Sequence, residues 1–172
     1  MNFTEYNVND KNLEEILLAL KSLDAVEAVA LGGSRSTGEA DENSDYDIYV
    51  YCSEIPTGKT RENLLGKYCS VAEFGNHYWE SEDNTVMNNG TPVDIIYREI
   101  DRFGGYIDTV IKGGKAFNGY TTAFWHNIRN SKVLFDKTGT FTKFRDMAQI
   151  DYPENLRRAI IKNNRSLLSG KL

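Results

Sequence analysis

The segment Val26 to Leu31 is short, apolar and β-branched, and it runs directly into Gly32-Gly33. Such a stretch reads as a buried strand that ends in a tight turn. A few residues on, Asp45-Tyr46-Asp47-Ile48-Tyr49-Val50 has the Tyr, Ile and Val content of a second strand, through Cys52. Strand periodicity sends Asp45 and Asp47 to one face and Tyr46, Ile48 and Val50 to the other. Two carboxylates side by side repel unless a cation lies between them, and hard oxygen ligands at that spacing suit Mg²⁺. An isolated Asp-x-Asp is more often a pair of acids facing water on an edge strand, so the rest of the chain has to decide.

Two further features do so. Gly32-Gly33-Ser34 closes the first strand, where glycines let the backbone approach a ligand and exposed N–H groups and the Ser34 hydroxyl can hold phosphate oxygens. Asp94 stands inside the otherwise apolar Val93-Asp94-Ile95-Ile96, where an unpaired carboxylate is costly unless the strand end opens on a polar site. It is the natural third ligand. Arg35 follows the serine within reach of a phosphate.

The remaining pattern alternates helices and strands. Asp10 can cap a helix whose Leu13, Ile16, Leu17 and Leu20 recur at helical spacing. Residues 35–44 read as a loop with a helical turn and 58–69 as a helix. Strands are expected at 71–79, 84–87 and 92–98, the last two joined at the Asn89-Gly90 turn. Helices follow near 100–112, 121–130, 140–149 and 154–168, with a short strand at Val133-Leu134-Phe135. With 172 residues, 40% of them hydrophobic and 12% aromatic, one substantial core is expected and hardly two.

Composition narrows the partners. No run approaches the roughly 18 apolar residues of a membrane span, and Met1 to Glu5 lack the basic and apolar character of a secretory signal. A cytoplasmic location is the default expectation. Cys52 and Cys69 fit no metal or redox spacing and read as packing residues. A net charge of −5 and a pI near 5.1 argue against a nucleic-acid footprint and favour a small-molecule or protein acceptor. Arg157, Arg158, Lys162 and Arg165 read as a solvated helix face.

Gly32-Gly33-Ser34-Arg35-Ser36-Thr37-Gly38, then Ser44-Asp45-Tyr46-Asp47-Ile48, then Val93-Asp94-Ile95 resemble, in order and spacing, the signature of the DNA polymerase beta-type nucleotidyltransferase superfamily. Within it the chain is similar to small bacterial nucleotidyltransferase-domain proteins related to the aminoglycoside and lincosamide nucleotidyltransferases. The resemblance implies an α+β polymerase-beta-like fold, a mixed β-sheet flanked by helices and followed by C-terminal helices. It implies two Mg²⁺ ions, with Mn²⁺ as a substitute, at the sheet edge. The reaction implied is attack of an acceptor hydroxyl on the α-phosphorus of ATP or another nucleoside triphosphate, with loss of pyrophosphate. Asp45, Asp47 and Asp94 become the catalytic and metal-binding residues, and Gly32, Gly33, Ser34 and Arg35 the nucleotide-binding ones. Asp94 either ligates the second metal or accepts the acceptor's proton. Glu73, His77 and Glu80 are outside candidates for that base, and Lys59 and Arg61 for a phosphate contact.

Residues 1–150 are expected to form the nucleotidyltransferase domain and 151–172 a C-terminal helix, the start of the helical region that completes the acceptor pocket in similar enzymes. Its apolar side, with Leu156, Ile160 and Leu167, makes a homodimer or a partner protein an expected complement. Two other classes stand beside the enzyme. One is a non-catalytic or regulatory module of the same fold, such as the antitoxin of a toxin-antitoxin pair, which the three intact carboxylates argue against. The other is a polymerase or terminal transferase, which the acidic pI argues against.

Overall fold

A computed structural model of the chain describes residues 8–117 and 121–168, the last three of these by their backbone alone. The Met1 to Glu5 segment and the side chain of Leu167 lie outside the described residues. Helix α1 (Lys11–Lys21) starts where expected, with Asp10 Oδ1 accepting the Asn12 N–H at 2.9 Å. Then come β1 (Val26–Leu31), α2 (Gly33–Thr37), β2 (Tyr46–Cys52), α3 (Gly58–Leu65) with a 3₁₀ turn after it, β3 (Cys69–Asn76), β4 (Ser81–Met87) and β5 (Pro92–Glu99). The second half holds α4 (Ile100–Ile107), a π-helical turn at Asp108–Lys112, α5 (Ala123–Asn130), β6 (Lys132–Asp136), α6 (Thr140–Ala148) and α7 (Glu154–Leu168). The chain is thus α+β, with one six-stranded mixed sheet flanked by helices.

The sheet runs β3-β4-β5-β2-β1-β6, with β2 parallel to β5 and every other pair antiparallel. Side-chain alternation assigns its faces. Leu31, Ile48, Val50, Val93, Ile95 and Tyr97 point to a first core closed by Leu13, Ile16, Leu17 and Leu20 of α1 and Leu65 of α3. Burying each of these four α1 side chains contributes roughly 1.5–3 kcal/mol. Ala28, Ala30, Tyr49, Tyr51 and Ile96 point to the opposite core, closed by α4 to α7 through Phe103, Ile107, Trp125, Ile128, Phe141 and Leu156.

Of the apolar side of α7, Leu156 is fully buried in the chain's own second core and Ile160 packs beside it, while Ile161 is exposed. Cys52 is buried in the first core, which pushes its thiol up to about 12, and Cys69 packs against it half-buried. Among the described residues no helix is long and apolar enough to cross a membrane.

Candidate active site

β2 and β5 are the two central strands, and their parallel register sets Asp47 directly beside Asp94. Both share parity with Tyr49 and Ile96, so both carboxylates lie on the second face, near the N-terminal ends of their strands, where the helical cover stops. Asp45 sits on the loop just before β2. These are not acids of an edge strand facing water; the expected position at the sheet's edge is replaced by one at the strand ends of its centre.

The turn after β1 lies against this pair. The Gly32 N–H donates to the Asp47 carbonyl at 2.9 Å, which ties the start of α2 to β2. A Cβ on Gly32 would press into the Tyr49 ring, and one on Gly33 would overlap Oδ2 of Asp47. Gly33 also has φ +60°, a conformation that costs an L side chain roughly 1–2 kcal/mol. Glycine is needed here both for shape and for space. The N–H groups of Gly33 and Ser34 begin α2, where a helix has no internal acceptors for them.

Burial holds the Asp47 carboxyl above the usual carboxylate range, and the negative charges of Asp45 and Asp94 push it the same way. All three acids are half-buried. Such a set of hard oxygen donors fits Mg²⁺ or Mn²⁺ in its chemistry. Among the described residues no three His, Cys, Asp or Glu side chains are drawn together into a finished cation cage, so these three would have to close on an ion.

Asp94 has a partner that sequence reasoning missed. Asn84 of β4 lies directly across the β4–β5 ladder, and its Nδ2 donates to Asp94 Oδ1 at 3.0 Å. Only the antiparallel register brings the two together, so no spacing in the sequence could announce the contact. Glu82, one step along the same face, has its carboxyl raised by burial first and then by Asp94 and Glu80.

The profile of the nucleotidyltransferase domain family matches residues 13–117, more than half of the chain and all of the motif-bearing part. The chain belongs to that family. A solved structure described as a toxin-antitoxin with AMP-PNP is similar over 93% of this chain and 97% of its own, at 14% identity and a TM-score of 0.45, which adds nothing to the family match. No curated protein sequence matches the chain.

In this nucleotidyltransferase domain Arg35 is engaged with its own loop. Its Nε donates to the carbonyls of Ser44 at 3.1 Å and Asp45 at 2.8 Å, its Nη2 also reaches Ser44 O, and the guanidinium lies 4.0 Å from the Tyr46 ring centre. It thereby fixes the segment that carries Asp45. The charges on α3 have other duties. Lys59 pairs with Glu62 at the surface, while Arg61, the other outside candidate for a phosphate contact, is 1% exposed and pairs with the buried Asp83 at 3.4 Å.

Of the outside candidates for the base, Glu80 is bound to Arg98 through two bonds of 2.8 and 2.7 Å. Glu73 accepts from Asn76 at 3.3 Å, and His77 is exposed. Tyr49 and Tyr51 are core residues beneath Arg98, with burial pushing the Tyr49 phenol up to about 12, whereas Tyr78 and Trp79 are exposed. His126 is a surface residue of α5 that meets Asn130. Trp125 packs in the second core with its Nε1–H on the Ala148 carbonyl.

Proposed function

We propose that this domain moves a nucleoside monophosphate from a nucleoside triphosphate to a hydroxyl of a small-molecule or protein acceptor and releases pyrophosphate. The observation that carries the reading is the seating of Gly33 against the Asp47 carboxylate, with Asp45 and Asp94 beside it. Backbone donors suited to phosphate oxygens thus adjoin three acids that would repel a triphosphate on their own. Mg²⁺ or Mn²⁺ held by Asp45, Asp47 and Asp94 would neutralise that repulsion and favour ionisation of the attacking hydroxyl.

The chain's own residues position the reactants. The N–H groups of Gly33 and Ser34 and the Ser34 hydroxyl hold the β- and γ-phosphate oxygens, which orients the α-phosphorus toward the acids. The acceptor oxygen attacks that phosphorus, and the bond to the bridging oxygen breaks. Asp94, with one carboxylate oxygen engaged by Asn84, has the other for the acceptor's proton or for the cation. Arg35 acts through the loop it holds.

Label distinguishes this reaction from its neighbours. With a hydroxyl acceptor, α-labelled triphosphate should pass its label to the acceptor, while γ-labelled triphosphate should yield labelled pyrophosphate. Label reaching the acceptor from the γ position would mean phosphotransfer and would overturn the proposal.

A further inference from the structure

A row of amides runs from the outer edge of the sheet to Asp94. Asn76, at the end of edge strand β3, donates from Nδ2 to Asn84 Oδ1 at 2.8 Å and to Glu73 Oε2 at 3.3 Å. Asn84 in turn donates from its own Nδ2 to Asp94 Oδ1 at 3.0 Å. A carboxamide carries an acceptor oxygen at one end of its plane and two donor hydrogens at the other. With the oxygen of Asn84 occupied by a donor, its NH₂ must point to the opposite side, toward Asp94. Among the described residues no side chain is hydrogen-bonded in this way to the carboxylate of Asp45 or Asp47.

We propose that Asn84, oriented by Asn76, is a positioning residue for the nucleotidyl-transfer site, pinning one oxygen of Asp94 so that the other is presented to the divalent cation. The inference rests on the metal-dependent reading above. Hydrogen bonds to a ligating carboxylate fix its rotamer before the ion arrives, and losing one typically weakens metal affinity about tenfold or more. Asn76 matters at one remove. An aspartate there cannot donate, and it would draw the Asn84 NH₂ toward itself, turning the amide oxygen to face the Asp94 carboxylate.

The test is Mn²⁺ binding to the nucleotide-free protein, followed by paramagnetic resonance, for wild type, Asn84→Leu, Asn76→Asp and Asp47→Asn, with thermal melts in chelator as a control of folding. Asn84→Leu keeps the side chain's size and removes its donor, and Asn76→Asp changes no shape. The proposal expects both to weaken Mn²⁺ binding by about tenfold while Asn76→Asp melts as wild type does. A purely structural role, or simple attraction to the added charge, would leave Asn76→Asp binding Mn²⁺ as well as wild type or better, and that result overturns the proposal. Should Asn84→Leu fold poorly, Asn76→Asp still decides. If wild type binds Mn²⁺, Asp47→Asn does not, and both asparagine variants match wild type, the positioning role fails while the reading of the site stands. A wild-type protein that takes up no Mn²⁺ overturns both.

Discussion

At the scale of single residues, the candidate site concentrates local cost in its turn and in its acids. Gly33→Ala would force a side chain into a positive φ and into Asp47 Oδ2. We expect a loss of about 1–3 kcal/mol in urea unfolding, together with loss of triphosphate binding. Asp47 behaves in the opposite sense. Its folded-state carboxyl binds a proton more tightly than an unfolded one, so the stability that proton gives is fully present below the ordinary carboxylate range and is lost as pH rises through the folded value. Asp47→Asn, which carries no charge, should therefore melt higher than wild type in chelator at pH 7, and the difference should shrink as the pH is lowered below the carboxylate range. A melt series over pH checks the sign. The positions of Asp47 and Asp94 were legible in the sequence because strand parity and an acid in an apolar run are local facts, whereas Asp45, expected on the same strand face as Asp47, lies on the loop just before β2. The partners of Arg61 and Asp94 were not legible, since Asp83 and Asn84 reach them only through the pairing of distant segments.

At the scale of elements, periodicity carried far. β1 is found at the expected Val26–Leu31, α7 at the expected 154–168, and the Asn89-Gly90 turn joins β4 to β5 as read. Two things stayed hidden for physical reasons. The expected helix over 100–112 changes at Asp108 into a π-helical turn, with the Gly113 N–H bonded to the Asp108 carbonyl. The strand expected at 71–79 begins at Cys69 and ends at Asn76, because an edge strand largely exposed on both faces shows little hydrophobic alternation. The turn from β3 to β4 is anchored instead by Glu80, whose carboxylate pairs with Arg98. That guanidinium is 6% exposed and lies over the rings of Tyr49, Phe103 and Phe124. Burial works against its charge, but Tyr51 and Glu80 hold its pKa above the ordinary arginine value. Glu80→Ala should strand this cation and cost about 2–4 kcal/mol in a urea titration.

At the scale of the whole molecule, the sheet separates two cores, and the acids stand where the cover of the second one ends. The last helix belongs to that second core. Leu156→Ala should cost about 2–4 kcal/mol of unfolding free energy, and a loss below 1 kcal/mol would show that α7 is only loosely attached. The strand order, with the parallel β2–β5 pair at the centre, was not legible residue by residue, yet it is what brings Asp47 and Asp94 together across the chain. The central claim is that this junction binds a triphosphate through a divalent cation. Calorimetric titration of wild type and Asp47→Asn with the four ribonucleoside triphosphates and a non-hydrolysable ATP analogue, in Mg²⁺ and in chelator, tests it most directly. The account predicts binding by wild type that requires Mg²⁺ and disappears in the variant; equal binding by both proteins, or none by wild type in Mg²⁺, would contradict it.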